Sequence, residues 1–154
     1  MDIDLDDVVK LMIAAGTVVS LLGGLYGYFK KESQSETTEG VEVRLEETKI
    51  ALTGKETRAL ALLATNRNRE AVVLERYGMR LAGNRVQVHP GEPLEKVAFP
   101  VRLEPGAAVS LAFDRDRLGG LLRGMGKHGW VKLAGFFVDA EGTELKSGAA
   151  RVRA

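Results

Sequence analysis

Side chains able to carry out chemistry are few in this chain of 154 residues, and their neighbours argue against most of them. His89 precedes Pro90-Gly91 and His128 precedes Gly129, so both imidazoles are expected in loops, with no partner fixed by spacing. Ser147-Gly148 offers a hydroxyl, but no base stands at a spacing that would activate it. Gly-x-Ser-x-Gly, His-Glu-x-x-His and a phosphate-cradling glycine loop are absent. Asp114-Arg-Asp116 could offer carboxylates to a hard cation, yet each aspartate is followed by an arginine that opposes a metal. Aspartates at that spacing also suit a helix start, where they accept from free backbone N–H groups. Without cysteine there are no disulfides, thiolate metal sites or thiol nucleophiles. These residues predict a chain that is not an enzyme and holds neither cofactor nor metal.

What remains is arginine. Arg67, Arg69, Arg76, Arg80 and Arg85 fall within one expected hairpin region and form a candidate basic contact surface for anionic lipid or an acidic protein. Nucleic acid is the disfavoured partner, because no aromatic side chains interleave these arginines as stacking platforms. The plainer reading is a solvated face with Glu70 and Glu75 as local counter-charges.

The elements that must position these residues emerge when charge is counted by position. Residues 1–40 hold 3 basic and 7 acidic side chains, net −4, whereas residues 41–154 hold 19 and 14, net +5. Residues 1–10 form an acidic tail. Between Lys10 and Lys30 lie 19 residues, 11–29, without a charge. As a helix this run would be roughly 28 Å long at about 1.5 Å per residue, matching a hydrocarbon core of about 30 Å. A cleaved signal peptide is a poor fit, since the run follows Asp2, Asp4, Asp6 and Asp7 and ends in bulky aromatics. Tyr26, Tyr28, Lys30 and Lys31 have the composition of a membrane-interface belt. A retained transmembrane helix over 11–29 is therefore expected. Lys30, Lys31 and Arg44 after the span, against Lys10 before it, favour a cytoplasmic C-terminal domain, with an exterior domain as the alternative. Gly16, Ser20 and Gly24 on one helical face, and Gly23 with Gly27 on another, are small residues at the spacing that lets helices pack in lipid. They predict self-association or docking against a partner helix.

Residues 30–40 read as a flexible linker, since 32–40 contain no apolar side chain. From residue 41 the apolar period becomes two: Val41/Val43/Leu45, Val97/Phe99/Val101/Leu103, Val109/Leu111/Phe113 and Val131/Leu133/Gly135/Phe137. Residues 60–64 form a continuous apolar run. The apolar phase slips between Val72/Leu74 and Tyr77/Met79/Leu81, which predicts a bulge near Glu75-Arg76. Leu118, Leu121, Leu122 and Met125 recur at helical spacing after Asp114, so a short helix should bridge two strands and stop at Gly124 and Gly126. Seven or eight short strands with Gly- and Pro-containing turns predict a mainly β fold, an antiparallel sandwich over 41–154.

Leu60-Ala-Leu-Leu-Ala-Thr-Asn66, Phe99-Pro-Val-Arg-Leu-Glu-Pro-Gly106 and Val131 through Asp139-Ala-Glu-Gly142 carry a resemblance. Over residues 57–147 the chain is similar to small bacterial proteins with an immunoglobulin-like sandwich, often behind one membrane helix. The Cys…Trp…Cys pattern of antibody-type domains is missing, and Trp130 stands alone. The resemblance implies a fold and no reaction. The expected function is a non-catalytic, single-pass interaction or scaffolding module in a bacterial inner-membrane complex, contacting lipid and a protein partner. The alternative is a membrane-perturbing or defence-related effector acting through its glycine-rich helix.

Overall fold

The computed structural model describes residues 34–154, which form nine strands and one helix. The expected span 11–29, with Gly16, Ser20, Gly23, Gly24 and Gly27, lies outside the described residues, as do Tyr26, Tyr28, Lys30 and Lys31. Among the described residues no helix is long and apolar enough to cross a membrane.

The strands make two antiparallel sheets. One has the order β1-β2-β3-β7, from Gln34–Thr38, Val41–Leu52, Lys55–Asn66 and Ala108–Asp114. The other has the order β5-β4-β8-β9, from Gln87–Val88, Val72–Leu81, Trp130–Asp139 and Glu144–Arg153. The short β6, Val101–Leu103, pairs with the start of β4. Leu60, Leu62, Leu111 and Phe113 from the first sheet meet Leu74, Met79, Leu133 and Phe137 from the second in one core. The sheets meet most extensively where β9 passes β1 and β2, with Cα atoms within 8 Å.

Period-two patterning produces β2, whose Val41, Val43 and Leu45 are buried in the core. The run 60–64 has no alternation for a different reason: β3 is central, and Ala59, Ala61 and Leu63 on its other face are also buried. The slip in β4 is a bulge, since Leu74 pairs with Asp139 and Arg76 with Val138, leaving Glu75 over.

Three features differ from the sequence reading. Gln34–Thr38, expected within the flexible linker 30–40, forms β1. An edge strand needs only backbone partners on one side, so its lack of apolar side chains is no obstacle. The hairpin Thr38↔Val41 closes through Glu39-Gly40 with φ of 49° and 76°, and Leu52↔Lys55 through Thr53-Gly54 with 51° and 78°. Two-residue turns with both φ positive match the twist of the flanking strands. Secondly, Val97 and Phe99 precede β6 in an irregular segment. Their side chains still pack on the core, and Phe99 lies 5.2 Å from the Tyr77 ring. Thirdly, β9 is a ten-residue strand whose alternation the sequence hides, because the β8–β9 register shifts between Ala134 and Phe136.

The helix α1, Arg115–Gly124, forms between β7 and β8 as expected. Asp114 Oδ1 accepts from the N–H groups of Asp116 (2.9 Å) and Arg117 (3.3 Å), the capping role that competed with metal binding. The helix ends in a Schellman motif: Lys127 N–H donates to Leu122 O and Gly126 N–H to Arg123 O, with Gly126 at φ 82°.

Candidate functional site

One end of the sandwich gathers the β1–β2, β3–β4, β6–β7 and β8–β9 turns, and Asn66 ties two of them together. At the end of β3 it is 0% exposed. Its Nδ2 donates to Leu103 O (3.0 Å) and Glu70 O (2.8 Å), and its Oδ1 accepts from Asn68 N–H (2.9 Å). Its backbone N–H donates to Ala107 O and its carbonyl accepts from Gly106 N–H. Asn68 Nδ2 in turn donates to Glu39 O in the β1–β2 turn. The Thr65-Asn66 ending and the Leu-x-Pro-Gly turn are therefore two halves of one hydrogen-bonded junction.

Beside this junction opens a cavity of about 660 Å³, lined by Glu39, Asn68, Arg69, Glu70, Val72 and Asp139 among others. Glu39, Asp139 and Glu141 bring one carboxylate oxygen each to within 4.8 Å of one another. The donor class suits a hard cation. Asp139, however, spends Oδ1 on the N–H groups of Glu141 (3.0 Å) and Thr143 (2.8 Å), which shape the β8–β9 hairpin, while Glu39 and Glu141 are exposed. The group is accounted for by turn chemistry and solvent.

A second cavity of about 370 Å³ is lined by Arg76, Tyr77, Met79, Gln87, His89 and Phe136 among others. Tyr77 is the titratable group there with a perturbed proton affinity: burial, and then the negative charge of Glu92, raise its hydroxyl above the usual range. Its ring also lies 5.9 Å from that of Phe113. His89 is exposed on the rim, and His128 is exposed after the helix.

Ser147 is a structural hydroxyl. It is 4% exposed, accepts from Gly135 N–H (2.8 Å) and donates to Gly148 O (2.8 Å), which occupies it at the point where the β8–β9 register shifts.

The five arginines of the candidate basic surface are dispersed along β4 and its flanking turns. Arg67 faces Glu42 at 3.6 Å and Arg69 lines the larger cavity, both at the Asn66 end. Arg76 lines the second cavity. Arg80 is half-buried, bonded to Glu144 Oε2 at 2.7 Å and stacked 4.4 Å above the Phe136 ring. Arg85 is exposed in the turn at the other end of β4. Hairpin proximity in sequence did not reveal that a ten-residue strand separates the two groups.

No family model matches this chain, and no curated protein matches it.

Proposed function

We propose that the chain is a single-pass membrane-anchored interaction module, a non-catalytic accessory component of a membrane complex, with its sandwich on the cytoplasmic side. The observation that carries this reading is the join between anchor and domain. The uncharged run 11–29 is followed, after four residues, by β1, which is built into the edge of a sheet. A strand so close behind the run holds the domain near the bilayer, as a module acting on membrane partners requires. An immunoglobulin-like architecture is supported by the strand order: β2-β3-β7 facing β5-β4-β8-β9 corresponds to strands A-B-E facing C′-C-F-G of that fold, with β1 added at the edge of the first sheet.

The test exploits the absence of cysteine. A Glu141→Cys variant carries one thiol on an exposed turn, and an impermeant maleimide reports its side of the membrane in intact cells. The chain should stay with membranes through alkaline carbonate extraction, and Cys at 141 should react only after lysis. Release by carbonate would reject the anchor, and labelling of intact cells would reject the cytoplasmic side.

A further inference from the structure

The end opposite Asn66 has a different chemistry. Among the described residues, the four exposed large apolar side chains are Val86, Leu121, Met125 and Trp130, at 47, 37, 38 and 58% exposure, and all four sit at this end. The turn bearing Val86 lies beside the start of β8, because Leu81 N–H donates to Val86 O and Ala82 N–H to Lys132 O. Trp130 pairs with Arg153, and α1 presses on that same strand end, where a Cβ on Gly119 would sit 2.5 Å from Arg153 O.

The charge here is mainly basic, although Arg115 is paired with Glu47 Oε1 at 2.8 Å. Residues 115–132 hold 5 basic side chains against the single acid Asp116, and Arg151 and Arg153 add to them. The Arg115 guanidinium lies 5.9 Å from the centre of the Trp130 ring. At the far end the exposed turns carry Glu39, Glu70, Glu104 and Glu141 beside Arg67 and Arg69, one of which, Arg67, faces Glu42. The sandwich is thus basic and apolar at one end and rich in carboxylates at the other. Strand direction adds the third observation. Gln34 pairs with Leu45, and β2 continues from there through Leu52 toward the α1 end, so antiparallel β1 points its N-terminal side the same way.

We propose that this end is a lipid-docking surface, seating Trp130, Leu121 and Met125 at the headgroup level of an anionic bilayer with Arg123, Lys127 and Lys132 facing its phosphates. An indole is amphipathic and settles where apolar and wet regions meet, and basic side chains beside it are drawn to anionic headgroups. The acidic far end is then held away from the surface, which fixes the domain's orientation. This inference rests on the reading of 11–29 as an anchor and names the surface that the tether brings to the membrane.

The test uses the full chain reconstituted into vesicles of phosphatidylcholine alone or phosphatidylcholine with phosphatidylserine. Flotation reports anchoring, and the emission of Trp130, the sole tryptophan, reports docking. With phosphatidylserine the emission should move to the blue and be quenched by brominated lipid, and high salt should reverse both changes. Replacing Arg123, Lys127 and Lys132 together with Glu should shift the docked-to-undocked ratio by on the order of a hundredfold or more, with flotation unchanged. These side chains are exposed, so circular dichroism should show the fold retained. Emission that ignores phosphatidylserine, or a charge-reversed variant that docks like the parent, overturns the proposal while leaving the anchor intact. A blue shift that vanishes when protein is diluted per vesicle also overturns it, by assigning the surface to a second copy. Failure to float overturns the anchor itself.

Discussion

Asn66 offers the sharpest test of how the acidic end is held. Its Nδ2 faces two carbonyl oxygens, Leu103 O and Glu70 O, while Oδ1 receives the Asn68 N–H, so the amide has only one orientation that satisfies all three. Truncation by Asn66→Ala removes three hydrogen bonds at a site with 0% exposure. At about 1 kcal/mol net for each, the loss is about 3 kcal/mol, and it grows if a carbonyl is left without another donor. The Asn66→Asp variant keeps the shape and the acceptor but turns a second acceptor toward the two carbonyls. It must also desolvate a charge, so at neutral pH it should be less stable than the alanine variant. Protonation restores a donor. The carboxyl's folded pKa is therefore raised above its unfolded value near 3.9, and its stabilising contribution, present below that value, is lost as pH rises through the folded pKa. Urea unfolding of the full chain in mild detergent, followed by far-UV circular dichroism at several pH values, measures both variants. An alanine variant within about 1 kcal/mol of the parent, or an aspartate variant equal to it at pH 7, would refute the junction argument.

Two further perturbations probe the core and its titration. A Cβ on Gly135 would lie 2.4 Å from Leu62 Cδ1, so Gly135→Ala should destabilise by about 1–3 kcal/mol through overpacking. Leu62→Ala makes room for that methyl group, so denaturation midpoints should show the double variant more stable than the sum of the single losses predicts, and strict additivity would sink the contact. Tyr77, whose folded pKa is raised first by burial and then by Glu92, contributes stability that is present below the unfolded value of about 10 and lost as pH rises through the folded value. Stability of the parent relative to Tyr77→Phe should therefore be level below about pH 10 and fall above it, and a flat difference in alkaline urea titrations contradicts the burial argument.

Much of the sandwich was legible because its signals are local. Alternation in β2, β7 and β8, the phase slip at Glu75 and the Asp114 cap depend on neighbours within a few residues. The unread parts depend on partners far along the chain. β1 is held by β2 through its backbone, and the register shift opposite Gly135 breaks the phase of β9 between Leu145 and Val152. Val97 and Phe99 alternate because both touch the core, and they do so without a strand partner. At the candidate sites, the Thr65-Asn66 motif was visible while its hydrogen-bond partners Glu70 and Leu103 were not. The arginines around β4 looked clustered because sequence distance carries no information about which end of a strand a turn occupies. Leu121 and Met125 share the helical spacing of Leu118 and Leu122 but are exposed, since Leu118, Gly119 and Leu122 supply the contacts beneath.

The attachment of β1 has a mechanical consequence. Five residue pairs, from Gln34↔Leu45 to Thr38↔Val41, join β1 to β2. Tension arriving through the preceding residues enters at Gln34. Pulled along the strand axis against resistance at the carboxylate-rich end, the pairs are loaded together in shear and share the force. Pulled sideways, away from β2, they are loaded one after another, beginning with Gln34↔Leu45, and part at lower force. The direction of pull thus decides whether the sandwich resists as a unit or first releases a strand and exposes the edge of β2, a row of backbone donors and acceptors open to another chain.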